Sequence, residues 1–154
     1  MATRMHDPGT LVPGAMEAFQ ALSGATFGPT APAPAGVLAL VHLRTSQVNG
    51  CSVCVGMAMR DLRKAGDSDE RILAVSAWRH SPRFTDAERA ALALAEAMTR
   101  MSDRPDPVPD GVWEEARSHF DEAEMASIVL AVALSNAFNR VNVATGQIAG
   151  SWGG

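Results

Sequence analysis

The sequence predicts a single all-α domain, and three observations point that way. The apolar share is 47%, built mainly from Ala, Leu, Val and Met, with aromatics at 5% and Tyr absent; such a core is aliphatic and favours helices over strands. Segments with apolar residues at helical spacing run for several turns between connectors dense in Pro and Gly, which do not continue a helix. The length of 154 residues is ordinary for one continuous core, so one domain over residues 1–154 is expected, and no repeat of solenoid period divides it.

Residues 1–10 are polar and punctuated by Gly and Pro. A first helix is predicted from about Pro13 to Ala25, with Pro at its first position, where a missing amide is harmless. The run from Gly28 to Pro34 holds three prolines and is a surface connector. A second helix runs from Ala35 to about Val48, its apolar Val37, Leu38, Leu40 and Val41 set against His42, Arg44 and Gln47, and ends at Asn49-Gly50. The third, Ser52 to Lys64, closes at Ala65-Gly66, where Gly suits the left-handed residue after a helix and Arg63 and Lys64 sit at the negative end of the dipole. Ser68 caps a short fourth helix through about Trp78, and Pro82 bars its continuation. Thr85-Asp86-Ala87-Glu88 reads as a capping box that opens a fifth helix reaching Met101. Beyond the linker Arg104 to Pro109, a sixth helix covers Gly111 to Phe120 and a seventh Glu122 to about Thr145. The tail Gly150 to Gly154 is expected to fray.

The formal net charge is -4 with a pI near 5.5, and Lys and Arg form no stripe, so the main electrostatic contribution to nucleic-acid binding is missing and no nucleic-acid partner is expected. The start, Met1 to Pro8, is followed by no apolar signal region, and no uninterrupted apolar run reaches the ~18 residues of a membrane span. No membrane association is expected, and the cytoplasm is the expected location.

The chemistry-bearing feature is the pair Cys51 and Cys54, the only cysteines. Lying so close in sequence, they cannot staple distant segments as secreted disulfide frameworks do, which favours a redox role. At a helix start they can approach within disulfide reach, and the free amides there favour a thiolate on whichever sulfur faces them. The alternative is a pair of small buried hydrophobes. Structural zinc takes four protein ligands, and neither His42 nor His80 has metal-motif spacing to the pair, so no metal and no cofactor is expected.

The run Leu43-Arg44-Thr45-Ser46-Gln47-Val48-Asn49-Gly50-Cys51-Ser52-Val53-Cys54-Val55-Gly56-Met57, followed by Arg60 to Gly66, then Trp78, Phe84 to Glu96 and Asn136 to Arg140, resembles the alkylhydroperoxidase AhpD branch of the carboxymuconolactone decarboxylase family over about residues 35–146. The resemblance implies an AhpD-like bundle of about six or seven helices that assembles into trimers or larger rings, a trimer or hexamer. It also implies that the dithiol reduces a small hydroperoxide and is re-reduced by a thiol reductant or a lipoyl-type adaptor protein. Cys54 would then be the peroxide-reactive sulfur and Cys51 the resolving one, the two forming a reversible disulfide. Peroxidase members carry a glutamate twelve residues before the first cysteine and a histidine four after the second as a proton relay; here those positions are Ala39 and Ala58. Alanine neither accepts nor donates a proton, so peroxidase activity weakened by loss of the relay is expected.

His42 lies one turn after Ala39 on the same helical face, where its imidazole is a candidate replacement base; the competing reading is a partly buried structural histidine or one at a subunit contact. Gln47 and Arg44 are expected to position the loop before Cys51, with Arg44 either stabilising a thiolate or bridging to Glu96. Glu96 interrupts an apolar run and is read either as a distant base or, more simply, as solvent-facing. Met57 and Met59 beside the thiols read as core filling and His119 as surface. Two other functions remain open: an oligomeric scaffold or redox sensor in which the disulfide changes packing, and lactone decarboxylation, which would leave the cysteine pair without a purpose.

Overall fold

Proline and glycine cut the chain where the sequence says they should, and the computed structural model, which describes residues 3–149, fills the intervals with helices. Eight α-helices occur among the described residues: α1 (Pro8–Leu11), α2 (Ala15–Phe27), α3 (Ala35–Asn49), α4 (Ser52–Lys64), α5 (Asp69–Ala74), α6 (Asp86–Thr99), α7 (Asp110–His119) and α8 (Glu122–Thr145). The seven expected helices correspond to α2 through α8. The eighth is the single turn α1, too short for a periodic pattern but opened by Asp7, whose carboxylate accepts from the Gly9 amide at 2.8 Å, with Pro8 following. The expected fourth helix splits into α5 and a 3-10 segment, Val75–His80, broken at Ala77. The expectation for Gly150 to Gly154 lies outside the described residues.

Helix α3 is the axis of the fold, packing against α4, α6 and α8. One side of it, Val37, Leu38 and Val41, enters a cluster with Leu94 of α6 and Ile128 and Val132 of α8. The other side, Leu40 and Leu43, enters a second cluster with Ala58 and Leu62 of α4, Val75, Trp78 and Leu92. A helix that presents apolar residues to neighbours on both sides sits inside the core, and truncating Leu40 or Leu43 to Ala would cost about 2–5 kcal/mol. The Thr85–Glu88 capping box is present with both bonds, at 3.2 and 2.9 Å, and an unforeseen second box, Asp121 with Glu124, starts α8 with two bonds of 2.9 Å.

Among the described residues α8 is the one helix long and apolar enough, by length and a mean hydropathy of 1.2, to cross a membrane. This amends the sequence expectation: Ser135, Asn136, Asn139, Arg140 and Asn142 interrupt the apolar run without bringing its average low. Its apolar residues Met125, Ile128, Ala131, Val132 and Leu134 are buried in the bundle.

Candidate functional site

The site is built on the joint between α3 and α4. Asn49 ends α3, and Gly50 takes the left-handed conformation, φ 70°, that glycine adopts without a side-chain clash. The Gly50 amide donates to the Gln47 carbonyl at 3.3 Å and the Cys51 amide to the Ser46 carbonyl at 3.0 Å, the paired bonds of a Schellman motif. Cys51, the last residue of that motif, is also the N-cap of α4. Its Sγ accepts from the Cys54 amide at 3.3 Å, in the place a Ser or Asp oxygen commonly fills. The Asn-Gly-Cys-x-x-Cys sequence is therefore one continuous turn that sets both sulfurs at the α4 start, where they stand as free thiols, both buried.

Helix α8 supplies the rest of the polar shell. Asn142 donates through Nδ2 to Cys54 Sγ at 3.3 Å, and Asn139 donates to Ser46 Oγ at 3.1 Å while accepting from Asn49 Nδ2 at 2.9 Å. Asn49 also donates to Asn136 Oδ1 at 3.0 Å, so three asparagines spaced one turn apart on α8 clamp the joint.

These contacts divide one proton unequally between the sulfurs. The Cys54 thiol hydrogen-bonds to Cys51 and, together with the Cys54 amide and the Asn142 and Asn139 carboxamides, outweighs burial to draw the Cys51 thiol down to about 6. The same bond, reinforced by burial, pushes the Cys54 thiol well above the ordinary cysteine range. The first proton of the pair therefore leaves more readily from Cys51, with Cys54 as the hydrogen-bond donor to it. Access is divided the other way. Cys54 lines a cavity of about 530 Å³ and Cys51 does not.

His42 and Ala39, one turn apart on α3, line that cavity too, as do Asp61 and Met57 of α4. The His42 ring packs against Phe27, with centroids 5.5 Å apart and the planes tilted by 39°. Burial lowers its pKa, partly offset by the Asp61 carboxylate, so the imidazole is neutral at pH 7. Structure thus brings Cys54, His42 and Ala39 to one cavity. Ala58 is elsewhere: it is fully buried in the aliphatic cluster with Leu40 and Leu43.

Arg44 does not reach the thiols. It bonds Glu96 at 2.5 and 2.6 Å and Gln47 at 3.2 Å. Glu96 is buried rather than solvent-facing, because it also accepts from Trp78 Nε1 at 2.9 Å and pairs with Arg79 at 2.5 Å. Burial pushes its carboxyl up, yet the bonds from Trp78, Arg79 and Arg44 prevail and hold it below the usual carboxylate range. It is a structural anion joining α3, α6 and the 3-10 segment. His119 is at the surface, 3.3 Å from Glu115. Sequence reasoning passed over Asn139, Asn142 and Asp61. The first two were legible as a polar stripe with Asn136 on an otherwise apolar helix, and Asp61 as a residue two turns after Cys54 on the same face. Among the described residues no three His, Cys, Asp or Glu side chains gather as a metal site.

The model of the carboxymuconolactone decarboxylase family matches residues 13–97. The uncharacterised protein YdfG of Bacillus subtilis (strain 168) is 36% identical over 112 residues, 73% of this chain and 75% of its own length. The uncharacterised protein YnjA of Escherichia coli (strain K12) is 34% identical over 108 residues, of which the match spans 58% of YnjA. Among solved structures, a protein of unknown function from Agrobacterium tumefaciens, proposed as the antioxidant defence protein AhpD, superimposes with a TM-score of 0.88 at 31% identity, covering 96% of this chain and 98% of that one.

Proposed function

The chain belongs to the carboxymuconolactone decarboxylase family, and from that premise we propose that it is an AhpD-like thiol peroxidase acting on small hydroperoxides, with Cys54 as the oxygen-accepting sulfur and Cys51 as the resolving one. The observation that carries this reading is the division of labour in the pair: Cys54 lines a cavity that Cys51 does not, while Cys51 caps α4 and accepts from the Cys54 amide. Transfer of the Cys54 proton to Cys51 makes a Cys54 thiolate, to which Asn142 donates. That thiolate attacks the terminal oxygen of the hydroperoxide; the S–O bond forms, the O–O bond breaks, and the alkoxide leaves as alcohol after taking a proton. Cys51 then attacks the sulfenic sulfur, forming the disulfide and releasing water, so one hydroperoxide and two thiols give alcohol, disulfide and water. An external thiol reductant or a lipoyl-type adaptor protein returns the pair to the dithiol.

The proton for the alkoxide is the weak point. With alanine at positions 39 and 58, His42 is the titratable imidazole in the cavity, and being neutral it serves as a base rather than a ready acid. Turnover is accordingly slower than in relay-bearing relatives, by ~10² or more. A dithiol cycle suits a reducing compartment, which supports the cytoplasm, and exposed Leu130 and Val143 on α8 support a homo-oligomer such as a trimer or hexamer. Decarboxylation of a carboxylate-bearing lactone is disfavoured, since the charged side chains lining the cavity among the described residues are Asp7 and Asp61.

The test is sulfenic-acid trapping. Cys51→Ser keeps an N-cap hydroxyl and leaves Cys54 without its resolving partner. With cumene hydroperoxide and dimedone it should gain one adduct at Cys54, while Cys54→Ser should gain none. Adducts at Cys51 only, or free thiols persisting in the wild type after peroxide, would overturn the assignment.

A further inference from the structure

The first two helices make little core of their own. Of the thirteen residues of α2 only Thr26 is buried, yet the segment is held at definite points. The Arg4 amide donates to Thr145 at 2.8 Å, the Arg4 guanidinium to Ala144 at 2.9 Å, Gln147 to the Met5 carbonyl at 3.1 Å, and Phe19 meets Phe138 with ring centroids 5.1 Å apart. What the segment does cover is the Cys54 cavity, presenting Val12, Met16, Phe19 and Phe27 to it. The volume of about 530 Å³ is that of a small-molecule site, far more than hydrogen peroxide needs. Its charge is one-sided: Asp7 and Asp61 line it, and no Lys or Arg does among the described residues.

We propose that α1 and α2 form the selecting wall of the Cys54 cavity, which admits uncharged hydroperoxides carrying an apolar alkyl or aryl tail and turns away those carrying a carboxylate. This rests on the peroxidase reading for its substrate, while the selection itself is a property of the cavity. Each methylene buried against the wall is worth about a fourfold gain in kcat/KM, so a tail of a few carbons outruns hydrogen peroxide by about 10²-fold at saturation of that effect. A carboxylate brought beside Asp61 is opposed by like charge, by about threefold at low salt, since Asp61 is exposed and lies 3.9 Å from the Lys64 ammonium.

Two measurements separate the proposal from the reading beneath it. The first is kcat/KM for hydrogen peroxide, cumene hydroperoxide, linoleic acid hydroperoxide and its methyl ester. The second, which needs no peroxidase activity, is alkylation of Cys54 by N-phenylmaleimide and by maleimidopropionic acid, each normalised to its rate with glutathione and located by mass spectrometry. The methyl ester should exceed the free acid, and phenylmaleimide the carboxylate reagent, by about threefold or more at low salt, the gap closing as salt is added. Met16→Trp, which fills the cavity, should lower the cumene to hydrogen peroxide ratio at least about tenfold. Asp61→Asn, at an exposed position, should raise the relative rate of the carboxylate reagent several-fold. Selectivity in alkylation with no peroxide turnover would sink the peroxidase reading and leave the wall in place. Equal normalised alkylation rates, unmoved by either substitution, would overturn the wall.

Discussion

Replacing Asn142 by Leu removes the side-chain donor bonded to Cys54 Sγ at 3.3 Å and keeps the branched shape and the number of side-chain heavy atoms. The Asn142 carboxamide also helps to draw the Cys51 thiol down; a hydrogen bond to a charged group contributes about 1.5–3 kcal/mol, and a contact this long sits at the lower end. At 1.36 kcal/mol per pKa unit, the first proton of the dithiol should then leave about one unit later. With the Cys51 thiol at about 6, the pair is about 90% ionised at pH 7 and about 50% at pH 6. After the substitution those fractions become about 50% and about 9%. The effect is therefore only about twofold at pH 7 but about fivefold at pH 6, and a single measurement at neutrality would miss most of it. Iodoacetamide alkylation rates from pH 5 to pH 9, with thiolate absorbance near 240 nm as a second readout, provide the profile. Asn142→Asp should shift it further, since a carboxylate replaces the donor. An Asn142→Leu profile superimposable on the wild type at pH 6, in a protein of unchanged melting temperature, would refute the claim that α8 helps to hold the charge of the pair.

Glu96→Ala should lower stability by about 3–5 kcal/mol in urea, because Arg44 and Trp78 lose a buried partner, whereas an exposed pair such as Arg63 with Asp69 should contribute under about 1 kcal/mol. The Cys51 thiol titrates lower folded than the ~8.5 of a free cysteine, so its stabilising contribution is present at high pH and lost as pH falls through about 6. Reduced wild type should therefore gain stability over Cys51→Ser between pH 5.5 and 8.5; a constant difference would contradict the charge assignment. Ala39→Glu places a carboxyl in the cavity and should raise peroxide turnover, but Ala58→His forces a ring into a filled aliphatic cluster and should cost about 1–3 kcal/mol, a drop of several degrees in Tm. Light scattering at micromolar concentration should return a multimer mass, and a monomer mass would remove the support drawn from α8.

What the sequence made legible was local. The Thr85–Glu88 box, the Ser68 cap and the Gly50 stop are each decided within one turn of chain, and α4 and α8 begin and end where composition indicates. The second capping box, Asp121 with Glu124, sits at the break between Phe120 and Glu122 that the sequence marks, and its three-residue spacing is equally local. Glu96 is different in kind: its burial depends on Arg44, 52 positions away, and on Trp78, and no periodicity announces such partners. The same holds for the thiols. That one of them caps a helix is readable from Asn-Gly-Cys-x-x-Cys, but the amide of Asn142, 88 positions from Cys54, is a product of how α8 crosses the joint. Only the three-dimensional turn decides that Cys51 receives the helix amide while Cys54 receives the cavity.

The joint at Gly50 also bears on the order in which the molecule is made. The turn itself is closed by bonds within a few residues, Gly50 to Gln47, Cys51 to Ser46 and Cys54 to Cys51, before the asparagines of α8 add theirs. Contacts of such short separation close before distant ones during folding, because little loop entropy opposes them. The two sulfurs are therefore neighbours on a nascent chain well before α8 has left the ribosome, and the pair can be oxidised, reduced or shielded by a chaperone at a stage when the cavity it will serve does not yet exist.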